Sequence, residues 1–119
     1  MEKQVIFGNP PSKSNSYRII TINGHGSLAK TSALKKYEQD FYIQCNQYRD
    51  KNIEGYFEFY ADIYYHSQRS DLDNVAKCLL DCLQKVKAIK NDNKCVKIVL
   101  RKFLDKKNPR VEFILKEID

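Results

Sequence analysis

The sequence predicts an α/β fold of the α+β kind, a small mixed β-sheet packed with two main helices in the order β-α-β-α-β-β. Three observations carry this expectation. Two long segments repeat apolar residues at steps of three and four, the period of a helix with one buried face. Residues 56–66 alternate in character, the period of a strand with two unlike faces. The segment after residue 94 splits into two apolar runs around a cluster of turn formers, and strands alternating with helices build helices onto a sheet.

Residues 3–8 read as a first strand that ends at Gly8. Pro10 and Pro11 lack the N–H that a β-ladder needs, so the chain leaves the sheet there. From Ser12 to Ser32 the composition turns to Ser, Asn, Gly and Lys, interrupted by Tyr17–Ile22, which suits a short strand. Lys13, Arg18 and Lys30 lie along this arm, where they can meet phosphates or simply be solvated.

Thr31 or Ser32 caps a helix running to about residue 49, with Leu34, Tyr37, Phe41, Cys45 and Tyr48 as its apolar stripe. Gly55 then introduces the alternating strand. Phe57, Phe59, Ala61, Ile63 and Tyr65 should lie under the helices, while Tyr56, Glu58, Tyr60, Asp62, Tyr64 and His66 form an aromatic, half-polar face suited to a subunit interface or a DNA platform. A second helix from Asp71 to about Lys87 buries Leu72, Val75, Ala76, Leu79, Cys82, Leu83 and Val86. Strands at residues 95–104 and 110–118 follow, joined by the turn 105–109, and the short connection predicts an antiparallel hairpin.

At 119 residues the chain (1–119) reads as one domain, small enough that pairing with a second copy would help it. Glu2 and Lys3 precede an apolar run of only three residues, and no stretch is long enough to span a bilayer, so a cytoplasmic protein without a membrane partner is expected. Cys45, Cys78, Cys82 and Cys95 make no C-x-x-C pair and read as free thiols rather than zinc ligands. A net charge of +6 fits a polyanionic partner where the excess is clustered, and lysines and arginines crowd the C-terminal third.

The stretch that concentrates chemistry is Arg69-Ser70-Asp71-Leu72-Asp73-Asn74-Val75-Ala76-Lys77, answered fifteen residues later by Asp92. Two carboxylates one residue apart, where strand hands over to helix, repel each other unless a cation lies between them. Mg²⁺ prefers carboxylate oxygens and completes its shell with water and phosphate. The same residues also suit a helix start, with Ser70 or Asp71 as N-cap and Asp73 at the positive end of the helix dipole. Asp92 lies among turn formers, and its position by itself favours an Asx-turn. Asp73 and Lys77 are i and i+4 and share a helix side, whereas Asp81, one turn on, is better placed for a salt bridge with Lys77 or Lys85.

Asp71-Leu72-Asp73-Asn74, then Lys77, then Asp92, together with Asn9-Pro10-Pro11-Ser12 and Asn15, resembles the RusA family of Holliday-junction resolvases. The resemblance spans most of the chain. It implies a RusA-like fold and a structure-selective endodeoxyribonuclease that resolves four-way junctions by paired symmetric nicks in DNA recombination and repair. It implies Mg²⁺, as one or two ions with Mn²⁺ as a substitute, held by Asp71, Asp73 and Asp92. Lys77 would complete the catalytic set, and Asn74 would orient a carboxylate. The partners implied are branched DNA and a second copy in a homodimer, and Lys13, Arg18, Lys30 and Arg69 are this chain's candidate DNA contacts. The chain departs from the family where an arginine-rich run before D-L-D-N is thinned to His66-Ser67-Gln68-Arg69-Ser70, which bears on its grip on DNA. The alternatives are a non-catalytic junction-binding module and a metal-dependent nuclease acting on another DNA substrate.

Overall fold

A computed structural model describes residues 2–12 and 16–118. The elements are β1 (Gln4–Phe7), β2 (Tyr17–Ile22), β3 (His25–Lys30), α1 (Ser32–Gln44), β4 (Phe57–Tyr65), α2 (Leu72–Lys85), β5 (Cys95–Leu104) and β6 (Arg110–Glu117). Four strands form a mixed sheet in the order β1-β6-β4-β5, and β2 and β3 form a separate two-stranded sheet. The expected class, a mixed sheet packed with two helices, is therefore what the chain adopts, with one hairpin more than the expected order contains.

The strict alternation of β4 does what its pattern requires. Phe57, Phe59, Ala61, Ile63 and Tyr65 are buried and join one core with Tyr37 and Phe41 of α1, Leu79 and Leu83 of α2, and Val111, Phe113 and Leu115 of β6. Phe113 is the hub of that core, with its ring 5.9 Å from Phe41, 5.6 Å from Tyr48 and 5.7 Å from Phe59. Centroid separations in this range favour aromatic rings beyond their buried area alone. Both helices thus cover one face of the sheet. The opposite face of β4 stays half-exposed, where Asp62 pairs with Arg101, Arg110 with Glu112, and Tyr64 stacks on Phe103 at 4.8 Å.

α1 starts as expected, with the Thr31 hydroxyl accepting from the Leu34 N–H, and its stripe Leu34, Tyr37 and Phe41 is buried. The helix ends at Gln44, five residues before the expected limit. Cys45 and Tyr48 nonetheless stay buried, because the chain continues through turns that keep them against the core. Tyr48 is tied there by its hydroxyl, which donates to the Glu2 carbonyl and accepts from the Leu115 N–H. Asp50 and Asn52 then take positive φ and reverse the chain.

The predicted hairpin of residues 95–104 with 110–118 does not form. β4 lies between them, pairing parallel with β5 and antiparallel with β6. The physical reason is reach. Skipping one strand requires crossing about twice 4.8 Å, and five connecting residues can span roughly 17 Å. The turn crosses the end of β4, where the Asp105 N–H donates to the Tyr65 carbonyl. β5 instead returns from β4 through α2, the helical crossover that a parallel pair needs. Among the described residues no helix is long and apolar enough to cross a membrane, and Cys45, Cys78, Cys82 and Cys95 are free.

Candidate active site

β4 delivers the chain to α2, and the handover fixes Asp71. The Tyr65 hydroxyl, at the last residue of β4, donates to the Asp71 backbone carbonyl at 3.1 Å. Burial pushes the Tyr65 phenol up to about 12, with Asp71 and Asp73 adding to the effect, so it remains a neutral donor. Asp71 occupies the N-cap position of α2, but its carboxylate makes no capping hydrogen bond. Asp73 lies in the first turn of α2, and neither carboxylate has a side-chain hydrogen bond or ion pair with a described residue. An N-cap aspartate ordinarily satisfies an N–H of the first turn. Here both acids are without a side-chain partner among the described residues and lie at the end of the helix where the backbone dipole is positive.

Tyr65→Phe should lower unfolding stability by about 1 kcal/mol, the ordinary net value of one hydrogen bond. Tyr37→Phe is the control, because the buried Tyr37 hydroxyl has no hydrogen-bond partner and its loss should leave stability level or raised. Chemical denaturation of the two variants checks this, and an equal loss in both would remove the Tyr65–Asp71 contact from the account.

Asp73, Lys77 and Asp81 follow one another along the same side of α2. The Lys77 ammonium lies 3.2 Å from Asp81 and 3.6 Å from Asp92, and Asp81 first, then Asp92, raise its pKa above the usual lysine range. The expected Lys77–Asp81 salt bridge is thus present. Asp92 opens a single 3-10 turn, its N–H donating to the Gln84 side chain of α2 at 2.9 Å. Residues far apart in sequence, Asp92 and the Lys77 row, are therefore neighbours. The Asx-type contact expected of Asp92 is made instead by Asn91, whose side chain accepts from the Asn93 N–H.

Two clefts flank Asn74. One, of about 870 Å³, is bounded by Pro10, Pro11, Arg69, Asp71 and Asn74. The other, of about 170 Å³, is bounded by Pro11, Tyr17, Asp73, Asn74, Lys77 and Asp81. The proline segment is held to the end of β4 by Asn9, whose side-chain carbonyl accepts from the His66 N–H at 3.2 Å. No hydrogen bond joins Asn74 to a carboxylate among the described residues.

The sequence profile of the family described as endodeoxyribonuclease RusA matches residues 8–116. The chain belongs to the RusA endodeoxyribonuclease family. Membership implies a Holliday-junction-resolving endodeoxyribonuclease, an activity directed at branched DNA, and RusA resolvases generally depend on a divalent metal. No curated protein is matched by the chain.

The residues present suit such an ion by donor chemistry. Asp71 and Asp73 offer hard oxygen donors with no competing partner, and Mg²⁺ is commonly held by one or two carboxylates, with water and substrate phosphate filling the remaining positions. Among the described residues no three acidic, histidine or cysteine side chains converge on one point, and the Asp92 carboxylate lies 3.6 Å from the Lys77 ammonium. An ion bound at the start of α2 would therefore draw on these two carboxylates and take its other ligands from water and substrate.

The DNA-facing candidates are dispersed. Arg69 is exposed at the larger cleft and Arg18 is exposed on β2. Lys30 is ion-paired with Glu38 at 2.9 Å, and Lys13 and Asn15 lie outside the described residues. Burial pushes the Glu38 carboxyl up, and hydrogen bonds from Lys30 and Lys85 outweigh it, leaving its pKa below the usual range. Sequence reasoning missed Tyr65 and Gln84 as supports of this RusA site. Gln84 carries no readable signal, whereas Tyr65 ends the alternating run two residues after Ile63, where a tyrosine among phenylalanines already indicates a polar contact at the strand's end.

Proposed function

We propose that this RusA-family chain is an Mg²⁺-dependent structure-selective endonuclease that nicks Holliday junctions symmetrically, working as a homodimer in DNA recombination and repair. The observation that supports it best is that Asp71 and Asp73, at the start of α2, make no side-chain hydrogen bond or ion pair with any described residue.

Asp71 and Asp73 would hold the ion, and Asp92 would act beside it through Lys77, with which it pairs at 3.6 Å. The chemistry a bound divalent cation supplies is neutralisation of charge on the scissile phosphate and a competent water nucleophile at neutral pH. Water attacks phosphorus in line and the 3′ oxygen leaves, which breaks one P–O bond and forms another. Lys77 is charged, and it sits beside Asp92 and one turn from Asp73, where it offsets negative charge in the transition state. Arg69 and Arg18 contact the DNA backbone, and Lys13 and Lys30, which precede α1 in the sequence, add to that contact. One site cuts one strand, so matched nicks in opposing strands call for two copies related by a twofold axis.

The test is cleavage of a synthetic four-way junction and of linear duplex, with Mg²⁺, with Mn²⁺ and with EDTA. Paired nicks on the junction in either metal, little cutting of duplex and none in EDTA are expected. Junction affinity should fall steeply with salt through counterion release. Binding without cleavage in both metals would reduce the protein to a binding module, and equal cutting of duplex would reassign its substrate.

A further inference from the structure

The β2–β3 hairpin projects from the body with both faces open. Its register pairs Ile19 with Leu28 on the face that carries Tyr17 and Thr21, and Arg18 with Ala29 on the other. Ile19 is 81% exposed and Leu28 70%, the two most exposed large apolar side chains among the described residues. An isolated two-stranded hairpin is marginal in water, and an apolar cross-strand pair left in solvent is unusual without a partner.

Three features indicate what that partner is. First, the sequence has no Asp or Glu between Glu2 and Glu38; of the cations in that interval, Lys3, Lys30 and Lys36 pair with Glu112, Glu38 and Asp40, while Arg18 on the hairpin has no ion pair among the described residues. The outer sheet face differs, since its arginines are already neutralised by Asp62, Asp105 and Glu112. Charge therefore directs the hairpin toward a polyanion rather than toward that face of a second copy. Second, the root of the hairpin is fixed at the active site. The Thr31 N–H donates to the Ser16 carbonyl at 2.9 Å, Lys30 pairs with Glu38, and Tyr17 borders the cleft that Asp73 and Lys77 line. Third, the dimensions suit DNA. Strands of six residues reach about 20 Å, and a two-stranded ribbon fits a groove roughly 12 Å wide.

We propose that the hairpin is a branch-sensing arm: the Ile19–Leu28 pair enters the gap where a junction interrupts base stacking, and Arg18 contacts the adjoining phosphates. Apolar side chains inserted between base steps have to offset the energy of unstacking them. At a branch point that stacking is already broken, so the insertion favours junctions over continuous duplex. The proposal rests on the nuclease reading and assigns to this arm the selectivity of that same site.

The experiment uses the full chain, in EDTA to prevent cutting, and a four-way junction carrying 2-aminopurine at the branch, a base whose emission rises when it is unstacked. Wild-type protein should raise the emission at saturation. The double variant Ile19→Thr/Leu28→Thr keeps strand propensity and removes only exposed groups, so its circular dichroism and melting should match wild type. It should lose the emission change and bind the junction about tenfold more weakly, with duplex affinity nearly unchanged. Arg18→Gln should weaken both substrates alike and reduce the salt slope by about one. Emission in the double variant equal to wild type, while the wild type cuts junctions in Mg²⁺, overturns the arm and leaves the nuclease reading standing. Loss of junction affinity accompanied by conversion to a monomer in sedimentation also overturns it, because the pair is then a subunit contact. A wild type that neither binds nor cuts the junction overturns the nuclease reading and the arm with it.

Discussion

Asp73→Asn should slow junction cleavage by roughly a thousandfold, which corresponds to about 4 kcal/mol of lost transition-state stabilisation around a divalent ion. The substitution preserves shape and removes one charge. Asp73 makes no side-chain hydrogen bond or ion pair with a described residue, so the folded state loses only a favourable dipole interaction of at most about 1 kcal/mol. Junction affinity should be retained or modestly tightened, because one negative charge facing phosphates is gone. Asp81→Asn is the informative comparison. Asp81 stands in the same row of α2 and already pairs with Lys77 at 3.2 Å, and its loss should change the rate far less. Single-turnover cleavage and gel-shift affinity at fixed salt measure both quantities. If Asp73→Asn cuts within tenfold of wild type, or if both variants fall equally, the assignment of the ion to the start of α2 fails.

Much of the fold was legible because the strongest sequence signals are periodic. Every position assigned to the buried face of β4 is buried, and Tyr37 and Phe41 of α1 and Val75, Leu79, Cys82 and Leu83 of α2 enter the same core, while Leu72 and Ala76, expected to be buried, are only half-buried at the edge of the α2 stripe. A periodic pattern says which face is apolar and does not say which strand lies next to which. That is why residues 95–104 and 110–118 were expected as neighbours although β4 separates them. The missed hairpin has a different origin. Asn23 and Gly24 both take positive φ, at 52° and 80°, as a two-residue hairpin turn requires. Asn-Gly after Ile22 is the sequence signal for that turn. It was masked by β3 itself, since His25-Gly26-Ser27 lacks the β-branched and aromatic residues that mark strands. At the candidate site, spacing alone puts Asp71 at the start of α2 and Asp73 and Lys77 on one side of it, and the structure has Asp71 at the N-cap and the other two on the helix. The approach of Asp92 to Lys77 depends on the return of the chain from α2 to β5, a tertiary fact that no local pattern encodes.

The aromatic hub sets the second large effect. Phe113→Ala removes a ring that is 2% exposed and lies against Phe41, Tyr48 and Phe59. Truncating a buried phenylalanine to alanine costs about 3–5 kcal/mol, of which part is transfer and part is the cavity that incomplete relaxation leaves. Domains of this size are stable by roughly 5–15 kcal/mol in total, so the variant should melt at least about 10 °C lower. Its position in the sheet extends the consequence. Phe113 pairs with Gln4 of β1 and Ala61 of β4, so the cavity opens beside the strand whose last residue, Tyr65, holds the Asp71 carbonyl. Phe113→Leu retains most of the volume and should lose less than half as much stability. Thermal melting followed by circular dichroism, with cleavage measured well below the transition, separates fold from chemistry. Cleavage per folded molecule should stay near wild type in Phe113→Leu, while Asp73→Asn melts normally and does not cut. A melting shift under about 3 °C in Phe113→Ala would mean that the stacked rings are not what holds the helices to the sheet.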